Sequence, residues 1–106
     1  MAEPKLTHLQ FVILGLIQEG ATSGKELRAA LRDDGMRKSG PSFYQLMARL
    51  EDSGWVAGEY RQRVVEGQTI RERHYDLTPT GTRALQASTA FYARWIGRFA
   101  RGVAPA

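Results

Sequence analysis

Arginines recur at alternating positions on both sides of a short polar turn between residues 61 and 73. They are Arg61, Arg63, Arg71 and Arg73. A guanidinium is always charged at neutral pH and matches the oxygens of a phosphate, so this row suits a nucleic-acid backbone. Glu59, Glu66 and Glu72 lie among the arginines, however, and cross-strand ion pairs would occupy the same charges. Both interpretations remain open from the sequence.

A second polar set lies upstream, around the beginning of a segment with helical periodicity. It comprises Lys38, Ser39, Ser42, Tyr44, Gln45 and Arg49. Side chains at the N-terminal end of a helix can read base edges in the DNA major groove, where a glutamine amide pairs with adenine. Each has an ordinary alternative, because serine caps helices, tyrosine packs against neighbouring strands and glutamine is often solvated. We predict that Ser42, Tyr44 and Gln45 face bases and that the basic residues approach phosphates.

Large apolar side chains recur at helical spacing near the end of the chain. They are Phe91, Tyr92, Trp95, Ile96 and Phe99. A helix that projects beyond a small core cannot bury all of them, and an exposed patch of this size is unusual in a monomer. We therefore expect this stripe to form a homodimer interface.

Several classes of function are disfavoured. The chain has no cysteine, which removes disulfides and cysteine-based zinc sites. The two histidines, His8 and His74, have no cluster of ligating partners, and no catalytic triad or glycine-rich phosphate loop is present. We predict no metal, no cofactor and no enzymatic activity.

The charge balance and hydropathy point to a cytoplasmic nucleic-acid binder. Lysine and arginine outnumber aspartate and glutamate by 15 to 11, and the isoelectric point is about 9.9. The longest apolar run, residues 11–17, is far shorter than the roughly 20 residues that span a bilayer. With no signal-peptide pattern at the N-terminus, we expect no membrane association.

The apolar periodicity predicts helix, helix, helix, hairpin, helix. The first helix runs from Thr7 to Gly20, the second from Ser23 to Gly35, and the third follows residues 38–41 and ends at Gly54. Residues 56–65 and 69–77 form the hairpin, with residues 66–68 as its turn, and the last helix spans residues 79–101. Residues 1–6 are expected to be a poorly ordered lead-in.

This order predicts a mainly α (α+β) fold, a winged helix-turn-helix with a two-stranded β-wing and a C-terminal dimerisation helix. Residues 1–78 would be the DNA-binding domain, and residues 79–106 the dimerisation helix and tail of the same structural unit. The expected partners are double-stranded DNA and a second copy of the chain. The alternative is a winged-helix protein-interaction module that binds no DNA.

Four segments in a fixed order support this architecture. They read FVILGLI (residues 11–17), SGKEL (23–27), SFYQLMARLEDSGWV (42–56) and RHYDLTPTG (73–81). Together they resemble the PadR-like family of winged-helix transcriptional regulators over residues 9–85, where the last three typically read HGYEL, TLYPLLXRLEXXGLI and RKYYXLTXXG. The chain departs from the family at Lys25 and Gln45, where tyrosine and proline are usual, and it lacks the GXPRK tip of the wing.

The resemblance implies a homodimeric repressor that binds a palindromic operator and dimerises largely through its C-terminal helix. Some family members respond to phenolic acids or planar hydrophobic drugs. In one branch a tryptophan of the last helix lines a pocket at the dimer interface, and the resemblance makes Trp95 the candidate here. A small aromatic effector is accordingly a candidate partner.

Overall fold

The computed structural model describes residues 5–102 and has the expected order of elements. The helices and strands are α1 (His8–Glu19), α2 (Gly24–Asp33), α3 (Gly40–Asp52), β1 (Val56–Val65), β2 (Gln68–Leu77) and α4 (Pro79–Gly102). The two strands form one antiparallel sheet that packs beside the first three helices. The predicted winged helix-turn-helix architecture is confirmed.

Local signals determine where the helices begin and end. Thr7 caps α1 by accepting a hydrogen bond from the Gln10 N–H at 3.2 Å, and the Gln10 side chain accepts the Thr7 N–H in return. Ser23 caps α2 through the Glu26 N–H at 3.0 Å. In a capping box the Glu26 carboxylate would accept the backbone N–H of Ser23. Here the carboxylate accepts the Ser23 hydroxyl instead.

The core lies between the first three helices, the base of the hairpin and the first half of α4. Its largest fully buried side chains include Phe43, Leu50 and Tyr75. Burial of Tyr75 raises the pKa of its phenol to about 12, since the charged form would be desolvated. Leu6 is also buried in this core, so the predicted disordered lead-in is wrong at that residue. Residues 1–4 of that prediction lie outside the described part of the chain.

The hairpin is tighter than predicted. Val65 pairs directly with Gln68, so the connection has two residues, Glu66 and Gly67, and the predicted turn of residues 66–68 is one residue too long. Both turn residues have positive φ, 51° and 78°, as a type I′ turn requires. This turn determines the register and therefore which side chains share a face of the wing.

The first half of α4 buries one face against the core, and the second half is more exposed. Thr78 caps the helix by accepting the Gly81 N–H at 2.9 Å, and Gly81, Leu85 and Ser88 are buried. Further along the helix, Ile96 and Phe99 are largely exposed. Across residues 5–102, every helix is too short or too polar to cross a membrane. In the same part of the chain, no set of three or more His, Asp or Glu residues is placed to hold a metal ion.

Candidate nucleic-acid interface

The outward face of α3 is polar and accessible. Ser39 is the helix cap, and its hydroxyl accepts the Ser42 N–H at 3.3 Å, so Ser39 already has a structural role. Gln45 and Arg49 are exposed, and Ser42 is half-buried. The structure therefore presents Gln45 and Arg49 to solvent from a helix anchored on its other side by Phe43, Met47 and Leu50. Their contact with DNA stays a prediction.

Tyr44 packs against α2. Its ring meets Phe43 edge-on at 5.0 Å between centroids. Its hydroxyl covers Gly24, where even an alanine Cβ would lie only 2.6 Å from the oxygen. The side chain is still 43% exposed, so its outer edge remains available to a ligand. Tyr44 thus packs against α2 and also borders Tyr60 and Arg71 of the wing, and its contact with DNA stays a prediction.

The register places the predicted wing arginines on two different faces. Arg73 lies opposite Tyr60, so Arg71 and Arg73 share one face, whereas Arg61 and Arg63 lie on the other. A single DNA surface cannot meet both faces of a two-stranded sheet in the same way. The four arginines are therefore not equivalent candidates for phosphate contact.

Arg61 and Arg63 are engaged by carboxylates of the wing itself. The Arg63 guanidinium lies 2.7 Å from Glu72, and that of Arg61 lies 2.9 Å from Glu59. The two arginine side chains remain about half exposed, and such surface pairs contribute at most about 1 kcal/mol. The ion-pair interpretation thus describes these arginines in the structure, and a DNA contact by either would have to compete with its pair.

Arg73 ties the wing to α3. Its Nε and Nη2 donate to the Glu51 carboxylate of α3 at 2.9–3.1 Å, and both side chains are only 25% exposed. The hydrogen bond to Glu51 raises the pKa of the Arg73 guanidinium above its ordinary value. The guanidinium also lies 4.7 Å from the ring centre of Tyr60. This geometry makes Arg73 a structural clamp between α3 and β2.

Arg71 lies on the same face without such a partner. Its guanidinium lies 4.3 Å above the Tyr60 ring. Among the residues that the structure describes, no carboxylate comes within 4.0 Å of it. Of the predicted wing arginines, Arg71 therefore has the charge most available to an external anion.

The contrast between these neighbouring arginines predicts different effects on stability. We expect Arg73→Ala to lower the free energy of unfolding by about 2 kcal/mol, because it leaves the half-buried Glu51 unpaired. We expect Arg71→Ala, the matched control, to change it by less than about 0.5 kcal/mol. Urea unfolding followed by circular dichroism measures both. Equal losses in the two variants would contradict the clamp.

A basic groove between α2 and the beginning of α3 was missed from the sequence. Its cations are Lys25, Arg28, Arg32, Arg37 and Lys38, and the volume they enclose with Ala29 and Tyr44 is about 290 Å³. Only Lys38 was predicted as a DNA contact. The available signal was the helical spacing of Lys25, Arg28 and Arg32, which places three cations on one face of α2.

The aromatic stripe of α4 is continuous but unevenly covered. Tyr92 packs on Phe11 of α1 at 5.1 Å between ring centres, and Trp95 contacts Phe99 at 5.7 Å. Ile96 borders an open apolar depression of about 450 Å³ formed with α1 residues, which Trp95 does not line. The Arg98 guanidinium lies 5.1 Å from the Trp95 ring. The structure therefore provides an exposed apolar face between α1 and α4.

Comparison with known proteins agrees with this geometry. The sequence profile of the transcriptional regulator PadR-like family matches residues 13–87. Among solved structures, a PadR-like transcription factor from Bacteroides fragilis superposes with a TM-score of 0.71 at 16% identity, over 91% of this chain and 90% of that one. No curated protein shows significant sequence similarity to the chain.

Two further structures share the fold. A Streptococcus transcriptional regulator has a TM-score of 0.65 at 23% identity, covering 90% of each chain. A PadR family transcriptional regulator from Eggerthella lenta has a TM-score of 0.62 at 21% identity, over 89% of this chain and 84% of that one. The family match covers well over half of the chain and confirms the resemblance seen in its motifs. The chain belongs to the PadR-like family of DNA-binding transcriptional regulators, which are not enzymes.

Proposed function

We propose that this protein is a homodimeric repressor that places α3 of each subunit in successive major grooves of a palindromic operator. The observation that carries the proposal is the exposed polar face of α3, with Gln45 and Arg49 outermost, lying beside the basic groove. Base edges supply specificity through such a face, and phosphates hold it in register. Residues 1–78 act as the DNA-binding part and residues 79–106 as the dimerisation part.

The dimer is supported by the exposed apolar face of α4. Ile96 and Phe99 are 66% and 64% exposed in one subunit. A second copy of the helix related by a two-fold axis would cover them, and that same axis would generate the two half-sites of a palindrome. A small aromatic effector would bind between the two copies of Trp95, whose ring is half-buried in one subunit.

Selection from a pool of random duplexes tests the operator proposal. We expect the selected sequences to show two-fold symmetry, with half-site centres about 10 base pairs apart or a multiple of that spacing. On the selected duplex, Gln45→Ala should weaken binding about 10-fold, a loss within the range of one bidentate base contact. Its affinity for random duplex should stay unchanged, which distinguishes lost base recognition from lost folding.

A different result would favour the alternative function. Winged-helix domains also serve as protein-interaction modules, and the fold does not decide between the two uses. If the wild-type protein bound no duplex even at low salt, the repressor proposal would fail. Binding of selected and random duplexes with equal affinity would instead argue against sequence recognition by α3.

A further inference from the structure

We infer that the basic groove, continued by Arg71, holds the phosphate backbone of a DNA strand and supplies most of the electrostatic affinity, whereas the wing as a whole supplies little. This inference rests on the proposed DNA-binding function and assigns its electrostatic part to named residues. The groove is formed by Lys25, Arg28, Arg32, Arg37 and Lys38.

The wing is electrically balanced. Residues 56–77 contain four arginines and four carboxylates, so their net charge is zero. Arg61, Arg63 and Arg73 each lie within 4.0 Å of a carboxylate of the same chain. A phosphate that approached one of these arginines would also meet its acidic partner. The favourable release of counterions from DNA would be correspondingly small.

The groove has no such compensation. Within residues 5–102, none of its five cations has a carboxylate within 4.0 Å. Glu26, the acidic residue in the first turn of α2, is turned towards the Ser23 hydroxyl at 3.0 Å. Asp33 and Asp34 lie at the end of α2 and do not line the groove. An external polyanion is therefore the natural counter-charge for this surface.

The groove is continuous with Arg71 of the wing, which has no carboxylate within 4.0 Å among the described residues. Lys25 and Tyr44 line the groove, and both also line a crevice of about 200 Å³ whose other walls include Tyr60, Arg71 and Glu72. The Glu72 carboxylate is paired with Arg63 at 2.7 Å. The cationic surface thus runs from the loop before α3, along α2 and past Tyr44 to the wing. A DNA strand that followed it would pass directly beside α3.

The groove lies against the first turn of α3. An added Cβ at Gly40 would meet the Arg28 guanidinium at 3.6 Å, which places this cation over the N-terminal end of the helix. In helix-turn-helix proteins the helix before the recognition helix crosses the DNA backbone. Arg28 and Arg32 lie on that preceding helix and are both exposed. The cations therefore lie beside the path that the phosphate backbone would follow if α3 entered the major groove.

The salt dependence of binding to a random-sequence duplex tests this assignment. Two double variants remove the same charge: Arg28→Ala with Arg32→Ala in the groove, and Arg61→Ala with Arg63→Ala on the wing. All four positions are exposed, and circular dichroism checks that both variants fold. We expect the groove variant to make the negative slope of log affinity against log salt shallower by about 1.8 per subunit, since each phosphate contact contributes about −0.9. We expect the wing variant to make the slope shallower by less than about 0.5.

The possible results separate this inference from the proposed function. A large loss of slope in the groove variant only would support the assignment. Equal losses in both variants would mean that overall charge governs affinity, and a loss confined to the wing variant would place the backbone on the wing; either result overturns the inference but leaves DNA binding intact. No duplex binding by the wild-type protein would overturn the inference together with the proposed function.

Discussion

Replacing Gly81 with alanine is expected to lower the free energy of unfolding by about 2–3 kcal/mol, although the residue lies inside a helix where alanine is normally preferred. A Cβ at Gly81 would overlap the Trp55 carbonyl oxygen and lie 2.8 Å from the carbonyl carbon. That oxygen also accepts the Thr78 N–H at 3.2 Å. The added Cβ is fixed to the backbone of α4 and would meet the backbone carbonyl of Trp55, so no side chain can move to relieve the clash. Moving that carbonyl would disturb its hydrogen bond at the beginning of α4.

Gly97→Ala is the matched control, because it makes the same substitution in the same helix. A Cβ at Gly97 would meet only the Arg101 guanidinium at an ordinary 3.7 Å. We expect this variant to gain about 0.5–1 kcal/mol from helix propensity. Urea unfolding of both variants at one protein concentration measures the difference, since unfolding of a dimer depends on concentration. A stabilised Gly81→Ala variant would contradict the close approach of α4 to Trp55.

Gly81 illustrates which constraints the sequence reveals. The ends of the helices were predictable, because Thr7, Ser23 and Gly20 act on backbone groups within one turn of themselves. The need for glycine at position 81 comes from the carbonyl of Trp55, which is distant in sequence and close only after folding. Leu6 is similar, since its burial depends on a core assembled from later elements.

In the candidate site, too, features set by local sequence could be predicted, whereas features that depend on contacts between distant segments could not. The polar face of α3 follows from helical periodicity, so its outward residues could be named in advance. Which face of the wing each arginine occupies, and whether a carboxylate pairs with it, could not be predicted from the sequence. Both depend on the strand register, and the register depends on a two-residue turn with positive φ at Glu66. The clamp between Glu51 and Arg73 further requires the docking angle of the wing on α3. The basic groove combines α2 with the following loop, so no single periodic segment contains it.

Ile96→Asp is expected to raise the dimer dissociation constant about 100-fold, which corresponds to roughly 3 kcal/mol for a residue at the centre of an interface. Ile96 is 66% exposed in one subunit and borders the apolar depression between α1 and α4. A carboxylate at this position remains hydrated in the monomer, so the subunit should still fold. In the proposed dimer the same carboxylate would be buried without a partner. Sedimentation over a range of concentrations measures the constant.

Val64→Asp provides the control, because Val64 is 71% exposed but lies near the tip of the wing, away from α4. We expect it to leave the dissociation constant unchanged. Ile96→Asp should also weaken operator binding, since a monomer contacts one half-site and loses the linked second contact. Its affinity per half-site should be retained, because α3 and the basic groove belong to a single subunit. An unchanged dissociation constant in Ile96→Asp would remove α4 from the interface, and the apolar face would then require a different partner.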